Sequence, residues 1–195
     1  REESEPLFEI RADAFYYLGE QFSRLEEWDA SLDAYEENLC ILEFLPKRNI
    51  ERIMKIGASL FKIGLLLRDK KEYIPEAIEH FSESIDKIQK GFKHERDESK
   101  RVILENLIKQ TYFARAICYE KTKDYESAIA DYLHLGDFPG NFYIGRMYFY
   151  ATQLEEAERH LEVCMEIPRI QPEVRTNAAI LLYQTRLGLQ LRINN

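Results

Sequence analysis

A small residue recurs four times along this chain, each time followed at a near-constant distance by a second small residue and then by a bulky one. Gly19 precedes Ser31, Gly64 precedes Ala77, Ala116 precedes Ala128 and Gly145 precedes Ala157; the separation is twelve residues except in the second copy, where it is thirteen. Four residues beyond each second member stand Tyr35, Phe81, Tyr132 and Leu161. Glycine inside a helix costs about 1 kcal/mol relative to alanine, so three at equivalent places need a compensating role. Close approach of a paired helix supplies that role, because no Cβ then stands between the backbones. A unit this short cannot bury its apolar face alone, and its copies must stack. The pattern predicts an all-α solenoid of about four helix-turn-helix units, an architecture whose general use is binding.

Composition agrees with long helices and short turns. The chain has 195 residues, 45% hydrophobic and 32% charged, with 8 Gly and 6 Pro as its few breakers. A net charge of −8 argues against nucleic acid as the main partner, since phosphate binding needs a basic surface. No run approaches the ~18 apolar residues of a membrane span. Cys40, Cys118 and Cys164 are odd in number and widely spaced, which reads as small core residues in a reducing compartment rather than as a disulfide framework. The acidic opening REESEPLFEI has no signal-peptide pattern and no initiator Met, so the expectation is an excised piece of a longer intracellular protein, cytoplasmic or nuclear.

Helical periodicity dominates the walk along the chain. A first helix is expected from Pro6 to Leu25, with Leu7, Ile10, Ala14, Phe15, Leu18 and Phe22 facing inward. A second runs from Trp28 to Leu45, with Leu32, Tyr35, Leu39 and Leu42 inward, until Pro46 stops it. Asn49 can cap a third over Ile50–Arg68. Pro75 suits the first turn of a fourth, which Gly91 would end. The mixed-charge run Lys93 to Arg101 reads as a solvated loop and exposed first turns of a fifth helix reaching Lys121. A short sixth, Tyr125 to Leu135, meets a break at Gly136, Pro139 and Gly140. Helices over 141–150 and 154–167 follow, and a half-polar helix over 172–192 is placed as a terminal cap.

Laid side by side, the first helices read Phe15-x-x-Leu18-Gly19-x-x-Phe22, Leu60-x-x-Ile63-Gly64-x-x-Leu67, Tyr112-x-x-Arg115-Ala116-x-x-Tyr119 and Asn141-x-x-Ile144-Gly145-x-x-Tyr148. With their Ser31/Tyr35, Ala77/Phe81, Ala128/Tyr132 and Ala157/Leu161 partners, these resemble tetratricopeptide repeats, W-x₂-L-G-x₂-Y followed by A-x₃-F. The turn segments EEWDAS, KEYIPEA, KDYESA and TQLEEA resemble the family's entry into its second helix. The resemblance implies one domain over 1–195, a right-handed superhelix of units at about 6–46, 49–91, 96–136 and 138–168, with the cap behind them. Spacings between the small residues depart from the family's 34, because the first two units are longer and the third is shortened.

The resemblance also implies where a ligand would lie. In such stacks the first helix of each pair lines a concave groove. The matching positions here are Tyr16, Glu20 and Ser23; Phe61, Leu65 and Arg68; Phe113, Ile117 and Glu120; Phe142, Arg146 and Phe149. Each set is spaced i, i+4, i+7 and shares a helical face. Seven of these are large apolar side chains, so the expected ligand is a protein or peptide segment with apolar anchors, oriented by Arg68, Arg146, Glu20 and Glu120. The family's carboxylate clamp needs Lys and Asn, then Asn, then Lys and Arg on successive helices, where Tyr16 and Glu20, Lys62, and Gln110 and Ala114 stand. That set lacks the required fork, and a shift by one repeat lacks it too. A chaperone's C-terminal tail is therefore not the expected ligand.

No catalytic constellation stands out. There is no Gly-rich phosphate loop, nucleophile elbow or H-E-x-x-H, and His80, His94, His134 and His160 have no ligand-like spacing to cysteine. The reading is a non-catalytic interaction scaffold without cofactor or metal. The alternatives are a structural self-association module, or a regulatory domain of a larger complex or enzyme.

Overall fold

The computed structural model describes residues 5–45, 50–168 and 170–193, the side chains of 137 and 138 excepted. Among these residues the chain is all-helical, without a strand. The helices are α1 (Glu5–Arg24), α2 (Trp28–Phe44), α3 (Ile50–Arg68), α4 (Ile74–His94), α5 (Glu98–Thr122), α6 (Tyr125–Tyr132), α7 (Asp137–Tyr150), α8 (Leu154–Glu166) and α9 (Pro172–Ile193), with 3₁₀ turns at Lys71–Tyr73 and Leu133–Leu135. Two compact units divide the chain between Ala114 and Arg115, inside α5. The expected stop at Pro46 and cap at Asn49 lie outside the described residues.

In the first unit α1 packs on α2, α2 on α3 and α3 on α4. The glycines sit where these helices touch. A Cβ on Gly19 would come 2.8 Å from the ring of Tyr35, and one on Gly64 would come 2.6 Å from the ring of Phe81. Gly57, two turns before Gly64, faces Ile88 in the same way. Small polar residues complete the seams. The Ser31 hydroxyl donates to the Gly19 carbonyl (2.9 Å), the Asn38 amide to the Ala12 carbonyl (2.7 Å) and the Ser84 hydroxyl to the Gly57 carbonyl (2.7 Å). Each buried polar atom thus finds a partner that only close backbones can offer.

In the second unit α7 packs on α6 and α8, and α8 on α9. A Cβ on Gly145 would stand 2.8 Å from Leu161 Cγ. Phe142, Leu161, Cys164, Ile170 and Ala178 form the core beside α9.

Three hairpin turns share one register. Glu26, Lys123 and Thr152 each lie seven residues after Gly19, Ala116 and Gly145, and each has a φ near +60°. In each, the next residue donates back to the first helix: Glu27 to Phe22, Asp124 to Tyr119 and Gln153 to Tyr148, all at 2.9 Å. This is the left-handed residue and long-range bond of a Schellman-type helix end. The second hairpin replaces it with the 3₁₀ turn Lys71–Tyr73, which absorbs its extra residue. Thr152 is β-branched and strained at φ 61°. Thr152→Gly is expected to stabilise the protein by about 1 kcal/mol, a rise in Tm of about 2–4 °C by calorimetry for a chain of this size.

Several sequence expectations need correction. Leu7, Ile10, Ala14 and Leu18 of α1 point to solvent, while Ala12 and Gly19 are buried. The α1 sequence carries two apolar stripes, and the close approach at Gly19 selects the one containing Phe8, Ala12 and Phe15. Gly91 does not end α4, which runs on to His94; it packs against Ile53 instead. Pro139 and Gly140 lie in the first turn of α7, where the missing proline N–H is harmless, and Gly136 at φ 79° makes the break alone. The polar residues of α9, Glu173, Arg175, Asn177, Gln184, Arg186, Gln190 and Arg192, are exposed, and beside them Ile180, Tyr183, Leu187 and Leu191 are exposed too. Cys118 and Cys164 are buried as expected, but Cys40 is exposed. Of the charged run, Lys93 and His94 end α4, Glu95 to Asp97 form a short loop and the rest opens α5 as expected, with Asp97 Oδ1 accepting from the Ser99 amide.

Candidate functional site: a divided groove on α1 and α3

The first unit places Tyr16, Glu20 and Ser23 of α1 beside Phe61, Leu65 and Arg68 of α3. Two hollows lie along this face. One, of about 270 Å³, is lined by Asp13, Tyr16, Tyr17, Asn38, Lys55 and Ala58 and is mostly apolar. The other, of about 430 Å³, is lined by Ser23, Trp28, Leu65, Leu66, Arg68, Asp69 and Lys70. Glu20 stands between them. Its carboxylate meets Lys62 Nζ at 2.7 Å and accepts the Tyr35 hydroxyl at 2.6 Å.

The tyrosines behind Glu20 respond to burial. Tyr16 packs edge-on against Tyr35 with ring centroids 5.5 Å apart. Burial, then the charge of Glu20, pushes the Tyr16 phenol up to about 12. Burial followed by donation to Glu20 raises the Tyr35 phenol further. At Glu20 itself burial pushes upward, but the hydrogen bonds from Lys62 and Tyr35 and the lysine's charge outweigh it, holding the carboxyl below its ordinary value. A carboxyl lowered on folding stabilises the folded state above its unfolded value, about 4.3, and loses that contribution as pH falls through the lower folded value. Glu20→Gln is expected to flatten this acid limb, read as Tm against pH, while Glu105→Gln on the solvent side of α5 moves it less.

In the second unit Glu120 occupies a comparable role. It accepts the Tyr132 hydroxyl and meets Arg146 Nη2 at 2.6 Å. The Arg146 guanidinium also lies over Tyr143, 4.9 Å from its centroid, and Tyr143 stacks on Tyr132. Ile117 and Phe149 are half-buried, as is Phe113 in the part of α5 that belongs to the first unit.

The expected groove residues therefore separate into groups. Tyr16, Leu65 and Arg68 line hollows. Phe61 and Phe142 are buried, packed into the body of their units, so they are not solvent-facing anchors. The charges named for orienting a ligand already have partners: Glu20 with Lys62, Glu120 with Arg146, and Arg68 with Asp69 at 3.2 Å. Trp28, Tyr17, Leu66 and Ala58 were missed. Extending the i, i+3, i+4 rows one turn back would have reached Asp13 and Ala58, and Trp28 is the chain's single tryptophan, left half-exposed.

Among the described residues no group of three metal-ligating side chains comes together, and no helix is long and apolar enough to cross a membrane. His160 stacks on Tyr148 and shares a hydrogen bond with Asn141; burial, then Arg159, lowers its pKa. No protein-family model and no curated protein matches this chain.

Proposed function

We propose that this chain is a non-catalytic interaction scaffold, a right-handed tetratricopeptide-like stack that holds a partner segment along α1 and α3. The observation that carries the reading is the pair of hollows on one face of the first unit, divided by the Glu20–Lys62 pair. Each hollow has the size and apolar lining that suit one aromatic or aliphatic anchor, with a few polar groups at its rim. Because the nearby charges are already paired, apolar burial at about 25 cal/mol per Å² supplies the affinity. Support for the stack comes from the Gly19, Gly64 and Gly145 contacts and from the shared register of three turns.

Selection of random twelve-residue peptides on the intact chain tests the reading. Enriched sequences are expected to carry two apolar anchors and to lose at least tenfold in affinity for Trp28→Ala/Leu65→Ser. Peptides that bind that variant as well as the parent would refute the groove. Both positions are partly exposed, so the variant keeps the core that Phe61→Ala would damage.

A further inference from the structure

The outer side of the first hairpin differs from the groove and from the rest of the molecule. Along α1 the residues Leu7, Ile10, Ala14 and Leu18 share one helical face, continued by Leu25 just past the helix end, and all are exposed, Leu7 by 68% and Ile10 by 65%. From Leu7 to Leu25 this stripe runs about 27 Å at 1.5 Å per residue. Beside it lies the outer face of α2, which presents Asp29, Asp33, Glu36 and Glu37, all exposed. The two faces meet where Arg11 approaches Glu37 (4.0 Å) and Phe8 packs against Phe44.

Charge is concentrated here. Between Glu5 and Phe44 there are eleven carboxylates against two arginines, net −9, whereas the whole chain carries −8. The remaining residues are therefore close to neutral; within the unit Glu5 and Glu9 meet Arg52, Asp13 meets Lys55, Glu20 meets Lys62, Asp29 meets Lys70 and Glu43 meets Lys87, while Asp33, Glu36 and Glu37 stay on the exposed outer face. An apolar helical stripe of this length is worth attention when exposed. Its straightness matches the stripe of another amphipathic helix. The acidic helix alongside sets the sign of what flanks the partner's stripe.

We infer that the outer face of the first hairpin is a docking surface for a basic amphipathic helix of a partner protein, with leucine-like residues on α1 and Lys or Arg reaching Asp33, Glu36 and Glu37. A second copy using the same face would set acid against acid. The exposed apolar face of a second copy's α9 is a poor alternative occupant, because Arg186 is engaged with Glu158 and Glu162, and Arg192 with the Thr152 carbonyl.

The test uses the intact chain and a fluorescein-labelled 21-residue Leu/Lys peptide with a single leucine face, followed by anisotropy. A shuffled peptide of the same composition and a Leu/Glu counterpart serve as controls. Binding by the amphipathic Lys peptide is expected to be at least tenfold tighter than by either control. Leu7→Ser/Ile10→Ser should weaken it at least tenfold. Asp33→Asn/Glu36→Gln should weaken it about threefold and shallow its salt dependence. Tyr183→Ser/Leu187→Ser on α9 and Trp28→Ala/Leu65→Ser in the groove should leave it unchanged, with circular dichroism melts showing that every variant is folded. Equal binding by the shuffled peptide, or by the Leu7→Ser/Ile10→Ser protein, overturns the inference. So does light scattering that shows an oligomer which Leu7→Ser/Ile10→Ser makes monomeric, since the face would then belong to a second copy.

Discussion

Gly64→Leu is expected to lower the stability of the first unit by at least about 3 kcal/mol, and Gly64→Ala to lower it by about 1–2 kcal/mol, although alanine is the better helix former. An ideal Cβ at this position falls 2.6 Å from a ring carbon of Phe81 and within 3 Å of two more. Phe81 is fully buried and cannot swing away. Alanine gains about 1 kcal/mol in helix propensity, and overpacking a closed core costs about 1–3 kcal/mol or more, so the clash wins even for one methyl. Leucine must push α3 away from α4, which also strains the Ser84–Gly57 hydrogen bond two turns earlier. Urea unfolding followed by Trp28 fluorescence reads the first unit directly, as Trp28 is the sole tryptophan. Gly188→Ala on α9, followed by circular dichroism at the helix band, is the control: there a Cβ meets only the tip of Leu154, which can rotate, so a near-neutral change is expected. A midpoint unchanged in Gly64→Leu would mean the α3–α4 seam is not formed as described.

Arg115→Met is expected to cost about 3–5 kcal/mol, and the double change Arg115→Met/Asp131→Leu to recover most of it. Arg115 grips Asp131 with two hydrogen bonds, Nε to Oδ2 at 2.8 Å and Nη2 to Oδ1 at 2.7 Å. The aspartate side chain is 5% exposed, so solvent cannot take over when the fork is removed. Breaking one side of a buried pair strands a charge, while replacing both sides with apolar groups of similar volume is often neutral. Lysine at 115 would keep the charge but not the planar fork, so Arg115→Lys should fall between the two. Thermal unfolding of the parent, Arg115→Met, Asp131→Leu and the double variant gives the coupling energy as a double-mutant cycle. Additive effects of the two substitutions would show that the pair contributes nothing beyond its separate parts.

This pair also shows where sequence reasoning stops. In the third copy Arg115 stands at the place of Leu18, Ile63 and Ile144, and Asp131 at that of Ala34, His80 and His160. Read along the chain, each is a separate lapse from the pattern. In space they are one substitution, because the two positions touch across α5 and α6. Correlated departures of this kind are invisible to a one-dimensional pattern, which scores each position alone.

Groove positions behaved similarly. Register on α3 and α7 was legible from Gly64 and Gly145, since a glycine that must contact its neighbour orients the helix around it; on α1 the apolar periodicity pointed to the wrong stripe in spite of Gly19. Of the residues on these rows, Tyr16, Leu65 and Arg68 line hollows. How far each neighbouring helix covers the same row was not legible, and that cover buries Phe61 and Phe142 while leaving Tyr17 and Trp28 accessible. The pairing of Glu20 with Lys62 and of Glu120 with Arg146 likewise depends on which helix comes next, not on any spacing within one.

Helix content, most helix ends, the place of each hairpin seam and the thirteen-residue exception with its 3₁₀ turn all follow from short-range rules: period, caps, breakers and the absence of a Cβ. These act within a few residues and leave their mark on the chain directly. The choice between the two apolar stripes of α1, the exposed apolar face of α9 and the partners of the groove charges belong to a different level. There the decision rests on which surfaces remain after neighbouring helices have packed, and burial is a property of the assembled unit rather than of any segment within it.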